Sequence, residues 1–330
     1  MKRLLAVILA ALLTMAVSSC ASQPKPYKES RFLMDTLIEM TAYGSLAPEA
    51  VKAAFDEFDR IHAIANQYDP GSQLSRINLA AGIEPVAVDN DLIIMLERSR
   101  ELSDKLEGTF DVTVGPLVEL WGIGNKGDFV PSDTEIGQVL PLVNYRLVQI
   151  DKSARTVFLP RKGMKLDMGG IAKGYATDRA VAVLKSKGVA SALINAGGNV
   201  RVIGTRPDGK PWRIGVQHPR TPDAVIAKLA LNQWDTMETS GDYQRYIMKG
   251  NVRYAHILDP RTGKQPRELA SVTMVMNNAT DGDVFSTALF VLGTEKGLDA
   301  LRQFPGVEAI FITPDGKVTV SLGLVGTIEY

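Results

Sequence analysis

Cysteine is almost absent from this 330-residue sequence, since Cys20 is the only one. No disulfide can form within the chain, so a hydrophobic core must hold the fold. Histidine is also scarce: His62, His218 and His256 are not closely paired, which argues against a zinc site and favours a hard metal with oxygen ligands, if any. Net charge is absent as well, because 37 Lys and Arg residues balance 37 Asp and Glu residues. We therefore expect no nucleic-acid partner.

Two common phosphate-binding signatures are missing. No G-x-x-x-x-G-K-[ST] segment occurs, which excludes a P-loop. Gly122, Gly124 and Gly127 form a G-x-G-x-x-G pattern, but the segment that follows, DFVPSDTE, contains Pro131 and has no helical period of apolar residues. A dinucleotide fingerprint needs a helix at that point, so we reject it. Residues 31–330 also lack a Gly-, Pro- or Ser-rich linker and any repeat, which favours one compact unit.

The N-terminus has the pattern of an export signal. In MKRLLAVILAALLTMAVSSC, two cations, a short apolar run and small residues precede Cys20, and the run is too short for a committed transmembrane helix. The setting resembles the bacterial lipobox, whose cysteine is acylated; ordinary cleavage beside an incidental cysteine is the alternative. We predict a signal peptide over residues 1–19, a polar tether over 20–30 and a folded domain over 31–330. The expected location is a membrane surface facing the periplasm or cell exterior.

Helix and strand patterns alternate irregularly along the rest of the chain. Helices are predicted at 48–67, from a capping Asn90 to 108, from about 170 to the KSKG segment, after the DGD segment at 281–283, and from Thr294 to Pro305. Two hairpins with the turn PDGK are predicted: NVRVIG with WRIGVQ, and EAIFIT with VTVSLG. Strands dominate the second half, which favours an α+β fold with mixed or antiparallel sheets over a βαβ array.

The segment LDMGGIAKGYATDRA places Lys173 in the first turn of a predicted helix. A cation there is unfavourable by about 0.3–1 kcal/mol against the helix dipole. The free N–H groups at a helix start, next to the small Gly169 and Gly170, would let a phosphate approach. A bound anion would then explain the lysine. The alternative is a side chain that bends away into water.

A carboxylate and a hydroxyl stand four residues apart in TDGDVFST. Asp283 and Thr287 would share one face of a helix, where they form part of an oxygen shell suited to Mg²⁺. The alternative is structural: Asp281 or Asp283 caps the helix, and Thr287 bonds back to a carbonyl group.

Two further segments carry groups that local structure does not require. In AHILDPRTGKQP, turn chemistry explains the proline and the glycine but not His256 or Arg261. In GTFDVTVGPLVELWGIG, Trp121 is followed by Gly122, which would leave the indole open for stacking on a flat ring. Plain core packing is the alternative for the tryptophan.

Six short motifs follow one another along the chain: FDVTVGPLVELWGIG, LDMGGIAKGYATD, INAGGNV, TSGDY, HILDPRTG and GDVFSTALFVLG. In this order they resemble the ApbE family, the FAD:protein FMN transferases. Each motif alone is weak, whereas six in one order are highly specific. The resemblance runs from about Arg31 to the C-terminus and implies a single α+β catalytic domain related to T-fold proteins. Members are typically exported or lipid-anchored, in agreement with Cys20.

The resemblance implies a reaction. Such enzymes bind FAD with Mg²⁺, cleave its pyrophosphate and pass the FMN phosphoryl group to a Ser or Thr hydroxyl of an acceptor protein, releasing AMP. Acceptors are membrane redox subunits of sodium-pumping quinone reductases (Nqr) and Rnf complexes, which carry a Ser/Thr-Gly-Ala-Ser/Thr-like motif. Charge neutralisation of the pyrophosphate is what a metal, a lysine and a helix N-terminus supply.

The resemblance also implies roles for individual residues. The positions that match FAD contacts are Met34, Tyr68, Trp121, Gly122, Ile123, Asp167, Lys173 and Ile257. The positions that match metal ligands are Gly170, through its carbonyl oxygen, Asp283 and Thr287. The base that deprotonates the acceptor stays open among Asp283, Asp242 and His256. Tyr68, the third catalytic candidate beside Asp283 and His256, matches a tyrosine of transferring members where some hydrolytic relatives carry asparagine; an aromatic ring there would exclude water.

Two positions depart from the family pattern. Met34-Asp35-Thr36 stands in place of Met-Gly-Thr, so the backbone freedom of the glycine is lost. Gly282-Asp283 stands in place of Ala-Asp, which is a milder change.

Other functions are compatible with parts of the pattern. A Mg²⁺-dependent FAD pyrophosphatase would give FMN and AMP without an acceptor. A lipoprotein that captures flavin would bind FAD without turnover. A purely structural lipoprotein has no use for so many clustered polar turns.

Overall fold

The computed structural model describes residues 25–330. The predicted signal peptide, Cys20 and the first part of the tether lie outside the described residues. The first strand begins at Tyr27, so the fold includes part of the segment that we predicted as a tether over 20–30. Within the described part of the chain, no helix combines the length and the apolar composition that a membrane span needs.

Eight α-helices and sixteen strands are found in residues 25–330. The helices are α1 (Ala47–Ala65), α2 (Gln73–Leu79), α3 (Asn90–Lys105), α4 (Gly115–Trp121), α5 (Asp133–Val139), α6 (Ala172–Ser186), α7 (Ala279–Leu292) and α8 (Thr294–Leu301). The strands are β1 (Tyr27–Leu33), β2 (Thr36–Ala42), β3 (Val86–Ala87), β4 (Gln149–Asp151), β5 (Thr156–Phe158), β6 (Ala192–Ala196), β7 (Asn199–Ile203), β8 (Trp212–Gln217), β9 (Val225–Leu231), β10 (Thr236–Gly241), β11 (Tyr246–Lys249), β12 (Val252–Ala255), β13 (Ser271–Met276), β14 (Glu308–Ile312), β15 (Val318–Val320) and β16 (Ile328–Glu329). The predicted α+β class is confirmed.

The largest sheet is antiparallel and has eight strands in the order β1-β2-β6-β7-β10-β13-β14-β15. Successive side chains of a strand point to opposite faces. On β13, Val272 and Met274 accordingly join the main core beneath helices α1, α6 and α7, whereas Val275 joins a second core. That second core is closed by the small sheet β16-β9-β8. The main sheet thus carries helices on one face and a second sheet on part of the other.

One of the two predicted PDGK hairpins is wrong. Strand β7 pairs with β6 on one side and β10 on the other, so it has no free edge for β8. Strand β8 instead pairs with β9 in the small sheet. The second hairpin is confirmed, because β14 pairs with β15 in antiparallel register.

Helix α6 follows the prediction closely: Ala176, Ala180 and Leu184 are fully buried on one face. The predicted start of α7 is wrong. Asn278 accepts a hydrogen bond from the Asp281 N–H and caps the helix before the DGD segment, so neither Asp281 nor Asp283 is a cap. For two other helices, the observed N-cap lies one residue before the predicted one. Asp89, rather than Asn90, caps α3, and Gly293, rather than Thr294, precedes α8.

The turn between β1 and β2 shows how the chain tolerates Asp35. Leu33 pairs with Thr36, which leaves Met34 and Asp35 as a two-residue turn with φ of 53° and 60°. Two positive φ angles are the signature of a type I′ turn, where glycine is favoured at the second position. Aspartate tolerates this conformation better than most residues, so the turn forms without the family glycine.

We expect Asp35→Gly to change the free energy of unfolding by less than about 1 kcal/mol, because relief of the left-handed backbone is offset by a more flexible unfolded chain. Asp35→Val should destabilise the protein by about 1–2 kcal/mol, because a β-branched residue is disfavoured at positive φ. Urea unfolding measures both values. Glu39→Val, at an exposed and extended position of β2, is the matched control. Equal losses in the two valine variants would contradict the turn assignment.

Candidate active site

The N-terminal parts of helices α6 and α7 touch. A Cβ atom on Gly174 would lie 2.1 Å from the carbonyl oxygen of Ala279, so only glycine permits this approach. The contact brings Lys173, in the first turn of α6, beside Asp283 of α7. The Lys173 Nζ lies 2.8 Å from the Asp283 Oδ1. Two residues that are 110 positions apart in sequence thus form one charged pair.

The Asp283 carboxylate is 3% exposed and held from three directions. Besides Lys173, the Gly174 N–H donates to its Oδ2 at 3.1 Å, and the Asn199 side-chain amide donates to its Oδ1 at 3.2 Å. The orientation of that amide is fixed, because the Thr239 N–H donates to the Asn199 Oδ1 at 3.1 Å. The carboxylate is therefore oriented by the protein itself, before any ligand binds.

The lysine at the helix start finds its counter-charge within the protein. Its side chain is 25% exposed and does not bend into water, because it pairs with Asp283. The carboxylate also accepts a hydrogen bond from the first turn of α6, where the helix dipole favours an anion. From the sequence we expected either a bound anion beside Lys173 or a side chain that bends into water. The structure shows that Asp283 offsets the charge of Lys173.

Two further oxygen donors of different types, the Gly170 carbonyl and the Thr287 hydroxyl, lie together beside this pair. A Cβ atom on Gly170 would lie 2.8 Å from the Phe110 ring and 3.3 Å from the Thr287 Oγ1, so the glycine backbone lies directly against the threonine. Within residues 25–330, no hydrogen bond reaches the Gly170 carbonyl oxygen. Thr287 is on the same helix as Asp283, four residues on, and its hydroxyl also makes the long 3.3 Å back-bond to the Asp283 carbonyl.

A carboxylate, a hydroxyl and a free carbonyl group are the donors that Mg²⁺ accepts, with water and phosphate oxygens completing its shell. The described residues contain no group of three or more His, Cys, Asp or Glu side chains that could hold a metal. An all-protein cage is thus absent from residues 25–330. The predicted donors Gly170, Asp283 and Thr287 fit a hard ion that shares its shell with a phosphorylated ligand.

Two adjoining cavities surround these groups. They share five residues, Gly169, Lys173, Arg245, His256 and Thr287. The smaller cavity is polar and adds Asp283, Asn199 and Ser240 to its walls. The larger cavity extends over apolar and aromatic surface and includes Met34, Tyr68, Phe110, Trp121, Ile123, Asp167, Gly170, Ile257 and Leu258. Every predicted site residue except Gly122 and Asp242 lines one of the two cavities.

Gly122 and the Trp121 indole are less accessible than the sequence suggested. Gly122 lines neither cavity; its φ of 55° closes helix α4, and the Lys126 side chain covers it. The Trp121 indole is only 3% exposed, so the predicted open approach is wrong. Its Nε1–H donates to the Gly263 carbonyl oxygen at 2.8 Å, and its ring packs against Tyr254 with centroids 5.7 Å apart. The tryptophan therefore forms a rigid wall of the larger cavity.

His256 is the basic group best placed in the shared part of the cavities. Its Nδ1 lies 3.2 Å from the Arg245 carbonyl oxygen, which can only accept, so Nδ1 carries the hydrogen and Nε2 is free to take a proton. Burial, together with the charges of Arg245 and Lys173, lowers the pKa of His256 to about 4. The ring is neutral at pH 7, and a bound anion would raise its pKa toward neutrality.

The other candidate bases are engaged elsewhere. Asp242 forms a bidentate ion pair with Arg220 at 2.6 and 2.7 Å and also contacts Arg253 at 3.3 Å. It lines neither cavity. Asp283 is occupied by Lys173 and two N–H donors. Of the three bases that the sequence left open, His256 alone combines a free acceptor nitrogen with access to the cavity.

Several contributing residues were given no role by sequence reasoning. Asn199 lies inside a recognised motif, INAGGNV, but only the structure shows that its amide holds Asp283. Gln67 donates to the Asp167 Oδ2 at 2.6 Å, and the Gly169 N–H donates to the Asp167 Oδ1 at 2.7 Å, so this carboxylate is also oriented. Arg245 lines both cavities, because its carbonyl oxygen accepts a hydrogen bond from the His256 N–H at 3.0 Å. The spacing of residues in the sequence does not predict this contact.

Glu238 was also missed, although a charged residue in the strand TMETSG is itself a signal. Its side chain is fully buried beneath α7; one oxygen accepts from the Thr236 hydroxyl at 2.9 Å, and the other has no partner among the described residues. Burial, and then the charge of Asp283, raise the pKa of Glu238 well above its usual value. A Cβ atom on Gly282 would lie 2.5 Å from the Glu238 Cγ. Glu238 thus explains why glycine replaces the family alanine before Asp283.

We expect Gly282→Ala to destabilise the protein by about 1–3 kcal/mol, because the added methyl group overpacks against Glu238. The double variant Glu238→Ala/Gly282→Ala should recover part of that loss, since the shortened side chain makes room. Urea unfolding of the two single variants and the double variant gives the coupling energy. Gly137→Ala is the control, because no atom lies within 4 Å of its Cβ position in helix α5. If the losses in the free energy of unfolding of the two single variants simply add in the double variant, Glu238 is not the reason for glycine at position 282.

The smaller cavity contains a lysine, an oriented carboxylate and a helix N-terminus, and it joins a larger cavity with aromatic walls. This arrangement is typical of an enzyme site for a phosphorylated ligand with a flat ring, such as a nucleotide. The ApbE family model matches residues 34–311. The chain therefore belongs to the ApbE family, and the resemblance seen in the sequence is confirmed.

Named relatives and solved structures agree with this assignment. The FAD:protein FMN transferase of Klebsiella pneumoniae strain 342 is 37% identical over 303 residues, which cover 91% of this chain and 93% of that one. The FAD:protein FMN transferase of Treponema pallidum is 33% identical, covering 95% and 92%. The crystal structure of the Thermotoga maritima ApbE protein superposes with a TM-score of 0.85 at 33% identity, covering 92% of this chain and 99% of that chain.

Proposed function

We propose that this protein is an FAD:protein FMN transferase, which moves the FMN part of FAD onto a Ser or Thr hydroxyl of an acceptor protein and releases AMP. The curated relatives with this activity extend over more than nine-tenths of the chain. The observation that carries the proposal is the convergence of Lys173, Asp283, Thr287, the Gly170 carbonyl and His256 around one pair of joined cavities.

Mg²⁺ is the proposed cofactor. Asp283, Thr287 and the Gly170 carbonyl oxygen would hold it, and the ion would neutralise charge on the pyrophosphate. The protein's own part is orientation: the Asn199 amide and the Gly174 N–H fix the carboxylate before any ligand arrives. Lys173, placed between the carboxylate and the larger cavity, supplies a further positive charge for the phosphates.

Transfer requires a proton acceptor for the protein hydroxyl. The His256 Nε2 would take this proton, because Nδ1 is already committed to the Arg245 carbonyl oxygen. The hydroxyl oxygen then bonds to the FMN phosphorus, the bond from that phosphorus to the bridging oxygen breaks, and AMP leaves with the bridging oxygen. The other predicted FAD contacts except Gly122 line the larger cavity, where the rest of the dinucleotide would lie: Met34, Tyr68, Trp121, Ile123, Asp167 and Ile257.

We further propose a location and a class of acceptor for the enzyme. An acylated Cys20 would anchor the enzyme to a membrane on the periplasmic or outer side, and a short polar tether would hold the domain above it. Acceptors in this setting would be membrane redox subunits of Nqr or Rnf type that carry a Ser/Thr-Gly-Ala-Ser/Thr-like motif. The support for these statements is the N-terminal sequence and the family resemblance.

The proposed activity is tested by incubating the protein with FAD and Mg²⁺, with and without an acceptor domain that carries the motif. We expect acceptor-dependent AMP release and an equal amount of covalently bound FMN, detected by mass spectrometry of the acceptor. A chelator should stop both. Rapid AMP release without acceptor would identify a pyrophosphatase, and FAD binding without AMP release would identify a flavin-binding protein.

Tyr68 separates transfer from hydrolysis. Its ring lines the larger cavity and is 61% exposed, a position from which it can cover a bound substrate. We expect Tyr68→Asn to raise acceptor-independent AMP release several-fold while the yield of flavinylated acceptor falls. Tyr68→Phe, which keeps the ring, is the control and should behave like the wild type. If Tyr68→Asn releases AMP to water and transfers FMN to the acceptor in the same ratio as the wild type, Tyr68 is not a catalytic residue.

A further inference from the structure

Asp178 lies on helix α6 one turn after Gly174, so both residues occupy the face that touches the start of α7. Its carboxylate binds three donors there. The Oδ2 accepts from the Thr280 N–H at 2.8 Å and from the Thr280 hydroxyl at 2.6 Å. The Oδ1 accepts from the Ala279 N–H at 3.2 Å. The first two N–H groups of α7 are thus satisfied by a side chain of another helix.

The same carboxylate is tied to the main sheet. The Arg201 guanidinium, 7% exposed on β7, lies 3.2 Å from the Asp178 Oδ1 and 3.0 Å from the Asp235 Oδ2. Arg201 is two residues after Asn199, so the two side chains point to the same face of the strand. On this one face of β7, Asn199 therefore contacts Asp283, and Arg201 contacts Asp178.

We propose that Asp178 is a positioning residue for the transfer site. It locks the start of α7 onto α6 and β7, and thereby sets Asp283 and Thr287 opposite Gly170 and Lys173. The need for such a clamp follows from the layout: the oxygen donors and the lysine come from two separate helices, and displacements of about 1 Å at such a site lower rates on the order of 10²-fold. The helix dipole adds to the clamp, because an anion is favourable at the α7 N-terminus.

This inference builds on the proposed function but is tested by a separate readout. Mn²⁺ affinity is measured by electron paramagnetic resonance on the intact protein with FAD and without acceptor, for the wild type, Asp178→Ala and Asp178→Asn. We expect the Mn²⁺ Kd of Asp178→Ala to rise roughly 10- to 100-fold, as for other residues that orient metal ligands. Asp178→Asn keeps one acceptor oxygen, so its Mn²⁺ Kd should lie between those of the wild type and Asp178→Ala. The kcat for transfer should fall with the loss of metal affinity while the KM for the acceptor stays unchanged.

The control is Asp89→Ala, which removes the side-chain cap of helix α3, where Asp89 accepts from the Asp91 N–H at 2.9 Å. It should lower the melting temperature to a similar degree without changing Mn²⁺ affinity. A folded Asp178 variant with lowered stability and wild-type Mn²⁺ affinity would overturn the proposal. If Asp178→Ala does not fold, the Mn²⁺ affinity of Asp178→Asn is compared with that of the wild type instead, and an unchanged affinity would again overturn the proposal. A wild type that binds Mn²⁺ without transferring FMN would overturn the proposed function and leave this comparison valid.

Discussion

Replacing Asp283 by alanine should lower the rate of FMN transfer by about 10³-fold or more, while the protein stays folded. The substitution removes the only carboxylate from the donor set of Gly170, Asp283 and Thr287, and it leaves Lys173 without its partner at 2.8 Å. Loss of one preorganised charged group in a water-excluded site typically costs several kcal/mol of transition-state stabilisation. Single-turnover formation of flavinylated acceptor measures the effect.

Asp281→Ala is the matched control for this variant. Asp281 lies on the same helix but pairs with Arg98 at 2.6 Å, outside both cavities. Its removal should leave the transfer rate within a few-fold of the wild type. Normal transfer by a folded Asp283→Ala protein would count decisively against the assignment of this carboxylate.

Replacing His256 by asparagine should lower the transfer rate by roughly 10²–10⁴-fold, the usual contribution of a positioned general base. The asparagine amide can still donate to the Arg245 carbonyl oxygen, which the histidine Nδ1 approaches at 3.2 Å, but it offers no nitrogen that accepts a proton. His218→Asn is the control, since His218 lies outside both cavities. A folded His256→Asn protein with full activity, combined with an inactive Asp242→Asn protein, would transfer the role to Asp242.

The pH dependence gives an independent test of His256. Because the folded-state pKa is about 4, below the ordinary value of 6.5, the unfolded chain binds more protons between these two values. The free energy of unfolding should therefore fall as the pH is lowered from 6.5 to 4, and this contribution should be missing in His256→Asn. The kcat/KM of the wild type should stay high below pH 6.5, because the free enzyme keeps a neutral imidazole there.

Sequence patterns were sufficient for features with a strong local signal. Helix α6 was predicted from the spacing of small apolar residues such as Ala176 and Ala180, and those residues are buried as expected. The pairing of β14 with β15 followed from a turn tetrapeptide between two alternating segments. The same tetrapeptide failed between β7 and β8, because sheet pairing at both edges of β7 overrides local turn chemistry.

In the site, too, residues with a local signal could be predicted, whereas residues that act through tertiary contacts could not. Lys173, Asp283 and Thr287 were selected by asking why a charge or hydroxyl stands where local structure does not require it, and the structure places them in the wall of one cavity. Asn199 was not found, because it reaches Asp283 through a tertiary contact 84 positions away. Asp178 was not found either, because its contacts with the start of α7 are 101 or more positions away. Trp121 was misjudged for a related reason: a following glycine suggests access, but Gly122 only ends the helix and Tyr254 covers the indole.

Anomalous diffraction from crystals of the protein grown with FAD and Mn²⁺ would locate the metal and the pyrophosphate directly. We expect one manganese peak within about 2–2.6 Å of oxygen atoms of Asp283, Thr287 and Gly170. The FAD pyrophosphate should lie on the open side of the ion, and the flavin or adenine in the larger cavity. A manganese peak coordinated by other residues, or a pyrophosphate bound away from the start of helix α6, would contradict the proposed site.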